Sequence, residues 1–292
     1  MDLLEFLTKS ENVVMLDGGM GTQLDERGVE MGGPSCLTDP DAVLAVHRSY
    51  AEQGAMLLIT NTLTMNRVYI ESHGLDVDVR AVNLAGARLA RQAVVGGQYV
   101  LGDISSTGQM LVPLGELIEE EAFTSYQEQA EILAEGGEDG FIIETMYDHD
   151  ETLIAVRACK AAADLPVIAS MTFETIRNDG RTIMGNSAAD CAKALTEAGV
   201  DVVGANCGNL TPLELAEVVR WMAAATHLPV AIQPNAGKPR LEGDKAVFDM
   251  SPEEFAKGIA ACIENGARIV GGCCGTSPAH LHAIKPLTEA GG

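Results

Sequence analysis

Four stretches of this chain repeat one frame. Glu197-x-Gly199-x-x-x-Val203-Gly204-x-x-Cys207 aligns without a gap on Glu264-x-Gly266-x-x-x-Val270-Gly271-x-x-Cys274. Glu52-x-Gly54 running to Thr60-Asn61-Thr62, and Glu135-x-Gly137 running to Glu144-Thr145, share it more loosely. Each reads as a helix end, a glycine cap and a short buried strand that finishes on polar or ligand-type residues. Counted from the glutamate, position ten holds Asn61, Glu144, Asn206 and Cys273, and position eleven holds Thr62, Thr145, Cys207 and Cys274. Alternate strands of one closed barrel would show such a frame.

Short apolar runs with polar tips recur along the whole chain, at 13–16, 56–59, 99–101, 141–143, 167–171, 202–203, 230–232 and 269–270. They imply eight strands, and no ninth is needed. Helical patterns lie between them with clear start signals. Ser251-Pro252-Glu253-Glu254 offers an N-cap, a first-turn proline and a capping-box glutamate, and that helix should stop near Gly266. Thr211-Pro212-x-Glu214, Ser277-Pro278, and Thr38 or Asp39 before Pro40 open helices in the same way. Strands buried on both faces and alternating with helices indicate a parallel sheet, and eight such units indicate an α/β fold of the (β/α)8 TIM-barrel type. In that fold the active site lies at the C-terminal ends of the strands, where these polar tips fall. A chain of 292 residues that is 47% hydrophobic suits one large barrel or two ordinary domains, and no composition break divides it. The expectation is a single domain over 1–292, with a loose end at 289–292.

Charge narrows the function. With 42 acidic against 19 basic residues the formal charge is −23, which would repel a phosphate backbone or an anionic membrane. Neither a nucleic-acid nor a membrane role is expected. The start, Met1-Asp2-Leu3-Leu4-Glu5-Phe6, has no basic leader pattern, and no run of about 18 apolar residues occurs, so a cytoplasmic protein is expected. Seven cysteines, an odd number in a chain of this kind, point to reduced thiols with metal or catalytic use.

Two frames end on cysteine, one on Cys207 and the other on Cys273-Cys274 within Gly271-Gly272-Cys273-Cys274-Gly275. Together they outline a three-thiolate metal site. Zinc held by three protein thiolates keeps a tetrahedral position free, which separates a reactive zinc from a structural one. Consecutive residues of a regular strand face opposite ways, so the neighbouring cysteines need an irregular backbone, which the glycines at 271, 272 and 275 permit. A buried apolar cysteine pair or a vicinal disulfide is the competing reading. Cys36, Cys159, Cys191 and Cys262 fall in a loop or on helical patterns and read as packing residues. His280 and His282 lie on a helix leading away from the strand tip, and no histidine is assigned a role.

Asp17, Glu144 and Asn235 stand at strand tips around the same mouth. A carboxylate there can hold the ammonium of an amino-acid substrate, while backbone N–H groups of Asp17-Gly18-Gly19 and Gly21-Thr22 can hold its carboxylate. Equally, these side chains can cap loops or bond to nearby backbone. The glycines at 18, 19 and 21 match neither a dinucleotide fingerprint nor a P-loop.

Asp17-Gly18-Gly19-Met20-Gly21-Thr22, Thr60-Asn61-Thr62, Glu144-Thr145, Ser170-Met171-Thr172-Phe173, Asn206-Cys207, Pro234-Asn235-Ala236-Gly237 and Gly271-Gly272-Cys273-Cys274-Gly275-Thr276 occur in an order that resembles the homocysteine S-methyltransferases. The chain is most similar to the homocysteine-binding barrel of cobalamin-dependent methionine synthase, over about residues 10–290. The resemblance implies Zn2+ on Cys207, Cys273 and Cys274 with homocysteine sulfur as fourth ligand. It also implies that Asp17 and Glu144 hold the amino-acid end, helped by Thr60 and backbone near Gly18. The expected activity is transfer of a methyl group to homocysteine, forming methionine, from a methylcobalamin-type corrinoid carried by a separate protein. Leu63 after Thr-Asn-Thr, Ser105-Ser106 before Thr107-Gly108, and Gly208-Asn209 after Cys207 depart from the family's pattern, and all lie in loops at the mouth. They leave open another thiol acceptor, S-methylmethionine or betaine as donor, or demethylation towards a corrinoid protein. A non-catalytic zinc-binding or redox-sensing barrel is the reading from another class.

Overall fold

The computed structural model describes residues 1–10, 12–243 and 245–289. Of the end expected to be loose, 290–292 lie outside the described residues. Eight parallel strands form one sheet: β1 (Val14–Met15), β2 (Leu57–Ile59), β3 (Tyr99–Ile104), β4 (Gly140–Met146), β5 (Val167–Met171), β6 (Val202–Asn206), β7 (Val230–Gln233) and, after a hairpin, β10 (Ala267–Val270). The order is β1-β10-β7-β6-β5-β4-β3-β2, and a parallel bridge between Leu16 and Leu57 joins the two ends. Helices alternate with the strands, giving the expected TIM barrel. The reading of eight strands holds for the barrel but misses a hairpin, β8 (Arg240–Glu242) paired antiparallel with β9 (Lys245–Val247). Its residues are almost all exposed, so it carries no burial pattern to read.

The repeated frame has a common backbone cause. Gly54, Gly137, Gly199 and Gly266 all have positive φ, at 100°, 88°, 80° and 112°, a region that side-chain-bearing residues rarely enter. Each reverses the chain between a helix end and the next strand. The capping boxes at Thr211/Glu214 and Ser251/Glu254 form as expected, and Pro278 opens the last helix.

Inside the barrel, side chains two residues apart on one strand face the same way, and this sets the chemistry by height. The lower storey is apolar: Leu16, Leu57, Leu101, Ile142, Ile168, Val202, Ala231 and Ile269 pack together, and Leu3 and Leu7 of the N-terminal helix Leu3–Lys9 join them. Two residues further along, Leu101 gives way to Asp103, Ile142 to Glu144, Ile168 to Ser170, and Ala231 to Gln233. All four of these are buried. Outside the barrel, the helix Pro40–Gln53 supplies a brace to the mouth: the Tyr50 hydroxyl lies 3.0 Å from the Gly19 carbonyl and 3.1 Å from that of Thr276.

Below the site, Glu138 is buried and neither of its oxygens has a partner among the described residues. Burial pushes its carboxyl from 4.5 up to about 7, opposed in part by Arg91. The native state therefore retains a proton that the unfolded chain releases. Stability from this group is complete below about pH 4.5 and is lost as pH rises through about 7. Denaturant unfolding at several pH values should show that Glu138→Gln removes a decline on the order of 1–3 kcal/mol across that window. Equal slopes in variant and wild type would contradict this assignment.

Candidate metal centre

Strand β7 stands between the two sulfur-bearing strands and fixes both. The Cys207 N–H donates to the Gln233 carbonyl at 3.1 Å, and the Cys273 N–H to the Pro234 carbonyl at 2.8 Å. Beyond Val270 the chain leaves regular strand geometry. Gly272 N–H bonds to Asp17 O at 3.0 Å, and Thr276 folds back to bond the Cys273 carbonyl through both its N–H, at 3.1 Å, and its hydroxyl, at 2.6 Å. This turn removes the opposite-face problem for Cys273 and Cys274. Cys207 takes a φ of 57°, uncommon for any residue with a side chain, and Thr145 at the same frame position takes 56°. Gly208 follows with φ 75°, and a Cβ there would meet the Phe173 carbonyl oxygen at 2.8 Å. Glycine is thus the residue that this backbone accommodates at 208.

The three sulfurs lie within 4.8 Å of one another, and Cys273 Sγ is 4.0 Å from Cys274 Sγ. Tetrahedral zinc with Zn–S of about 2.3 Å sets sulfurs roughly 3.8 Å apart, so the trio fits such an ion. All seven cysteines are free thiols, which removes the vicinal-disulfide reading for this state, and Cys36, Cys159, Cys191 and Cys262 are buried away from the trio as expected. The Cys207 thiol is held well below its usual range because Cys273 and Cys274 direct hydrogen bonds at its sulfur. For the same reason Cys273 is raised, and Cys274 is pushed up to about 12. A cation among the sulfurs would favour the thiolate form of all three.

Beside the sulfurs is a cavity of about 310 Å³, lined among others by Asp17, Gly18, Thr60, Asp103, Glu144 and Gln233. Asp17 accepts the Ile59 N–H at 2.9 Å. Burial raises its carboxyl well above the usual range, the Ile59 bond opposes this, and Glu144 adds to the rise. Glu144 accepts from the Asn206 amide at 2.5 Å, and it sits at about 7 because burial and then the negative Cys207 disfavour its charge. Asn206 was legible only as part of a motif. In the structure it links the two halves of the site, reaching Glu144, the Thr145 hydroxyl at 2.8 Å and Cys273 Sγ at 4.0 Å. Thr60 accepts the Asp103 N–H at 2.9 Å and bonds to the Thr62 hydroxyl at 2.7 Å.

Of the anticipated substrate residues, Asp17, Gly18, Thr60 and Glu144 line the cavity, whereas Asn235 does not. The Asn235 amide donates to the Gly208 carbonyl at 2.9 Å and its side chain bonds towards the Cys207 sulfur, so it braces the thiol turn. Asp103 and Gln233 line the cavity but were read only as strand tips. Leu63 stands on the cavity wall. The Ser106 hydroxyl and the Thr107 N–H and hydroxyl all bond to the buried Glu151, the last two at 2.8 Å and 2.6 Å. The departing Ser106 therefore joins Thr107 in anchoring a loop. His280 bonds to Ser277 and to the Met250 carbonyl, a packing role as expected.

A family model described as homocysteine S-methyltransferase matches residues 14–288. The methionine synthases of Mycobacterium tuberculosis (strain ATCC 25618 / H37Rv) and Mycobacterium leprae (strain TN) are each 33% identical over 305 residues. Those alignments take in 97% of this chain, which spans about a quarter of the length of these curated relatives (25%). The fold is shared with the metallated form of a homocysteine methyltransferase from Escherichia coli, at a TM-score of 0.77 and 22% identity, covering 96% of this chain and 98% of that one. Among the described residues, no helix is long and apolar enough to cross a membrane.

Elemental analysis of purified protein should find about one zinc per chain, and Cys207→Ala, Cys273→Ala and Cys274→Ala should each lose most of it. Retention of zinc by two of the three variants would rule out a shared centre.

Proposed function

The chain belongs to the homocysteine S-methyltransferase family, and from that premise we propose that it binds Zn2+ through Cys207, Cys273 and Cys274 and methylates homocysteine to methionine. The observation that carries this reading is the placement of three sulfurs and a carboxyl-lined, partly enclosed pocket side by side. Zinc, when bound, would supply acidity to an incoming thiol while leaving its sulfur nucleophilic.

The chain's own residues do the rest. Glu144 and Asp17 attract the substrate ammonium, and Asn206, bonded to Glu144 and reaching towards Cys273, sets the distance between the ammonium end and the sulfurs. Backbone near Gly18 receives the substrate carboxylate, while Gly19, whose N–H donates to Thr276 Oγ1 at 2.9 Å, is kept small because a Cβ there would meet the Cys273 carbonyl oxygen at 2.5 Å. The homocysteine sulfur then lies at the sulfur trio, facing the barrel mouth. Its lone pair forms the new S–C bond as the methyl–donor bond breaks, the electron pair stays with the donor, and the thiol proton is released.

The donor in this proposal is a methylated corrinoid delivered from outside these residues, on a separate protein or another domain. The methionine synthase relatives support that choice, since this chain matches only a quarter of their length. Incubation with homocysteine and methylcobalamin, S-methylmethionine or betaine, with the product identified by mass, tests the reading. Methionine is expected with methylcobalamin; no methionine from any of the three would refute the assignment. Glu144→Gln should raise KM for homocysteine by about ten- to a hundredfold through loss of a charge-assisted bond, with zinc content unchanged.

A further inference from the structure

We propose that Asp103 is a third ligand for the substrate ammonium, and that together with Asp17 and Glu144 it makes the pocket selective for a primary amine. The inference rests on the amino-thiol reading of the site given above and adds a residue to it. Asp103 is 4% exposed and lines the cavity, yet its Oδ1 has no partner among the described residues. An unpartnered buried carboxylate oxygen costs free energy unless a ligand group satisfies it.

The backbone of Asp103 is gripped from both sides. Its N–H donates to Thr60 Oγ1 at 2.9 Å, and its carbonyl accepts from Thr62 Oγ1 at 2.8 Å and from Gln129 Nε2 at 3.3 Å. Those bonds use the main chain of this cavity-lining residue and take up neither carboxylate oxygen. Asp17 commits Oδ2 to the Ile59 N–H, and Glu144 commits Oε2 to Asn206 and to the Thr145 hydroxyl. One oxygen of each therefore remains for a ligand, as does Asp103 Oδ1. A primary ammonium has three N–H donors, one for each of these oxygens.

Charge points the same way. Glu144 disfavours the charge of Asp17, Glu144 and Asp17 disfavour that of Asp103, and among the described residues no lysine, arginine or histidine lines the cavity. A ligand ammonium would supply a compensating cation on this side of the pocket.

Calorimetric titration of homocysteine and of 4-mercaptobutanoate, the same thiol acid without its amine, tests the assignment. Asp103→Asn should weaken homocysteine binding by at least about tenfold and alter 4-mercaptobutanoate binding by less than about twofold, the loss being that of one charge-assisted bond. Equal effects on both thiols, or no effect on either, would overturn the assignment and leave the amino-thiol reading intact. Failure of both thiols to bind wild-type protein would overturn that reading and this inference with it. A test independent of the variant's folding uses N-methylhomocysteine on the wild-type protein. Its secondary ammonium lacks one N–H donor, and binding as tight as that of homocysteine would also exclude the three-carboxylate arrangement.

Discussion

The carbonyls at the tip of β7 hold this site together. Cys207 and Cys273 follow strands that never pair with each other, and each anchors its N–H on a carbonyl at the end of β7, that of Gln233 or of Pro234 just beyond it. The spacing of those two carbonyls along one strand thus sets how the sulfurs meet. Cys274 is tied to the same segment, since its carbonyl accepts the Ala236 N–H at 2.9 Å. The sulfurs converge because the parallel register of β6, β7 and β10 continues past the ends of the strands, where glycines and a left-handed Cys207 replace regular geometry. A slip of one residue in that register would turn the sulfurs to the wrong face.

Electrostatics gives the centre its dependence on ligands. Three sulfurs and the carboxyl groups of Asp17, Asp103 and Glu144 surround one cavity, and among the described residues no basic side chain lines it. Burial is the largest cause moving these groups towards their protonated forms, and negative neighbours add to it, Glu144 for both aspartates and Cys207 for Glu144. A metal dication among the sulfurs and an ammonium among the carboxylates would offset these two clusters separately.

Much of this was legible in the chain itself because barrel strands announce themselves by short apolar runs, and because a cysteine after such a run has few bland explanations. The four left-handed glycines made the frame visible. What escaped the sequence were features that exist only through space. Asp103 and Gln233 looked like ordinary strand-end polar residues, and nothing in their neighbours shows that they share a cavity with Glu144. Asn206 reads as the residue before a cysteine, although its amide joins Glu144 to the sulfur trio. Asn235 stood at the correct strand tip but turns its amide to the Gly208 carbonyl and stays out of the cavity lining. The hairpin of β8 and β9 is polar and exposed, and it lacks the periodic burial on which strand reading relies.

X-ray absorption at the zinc edge, measured on zinc-loaded protein before and after adding homocysteine, bears most directly on the central claim. Three sulfur neighbours from Cys207, Cys273 and Cys274 should become four as the substrate thiol enters the open position. An unchanged spectrum, or fewer than three sulfurs at the start, would contradict a thiol-accepting zinc centre in this barrel.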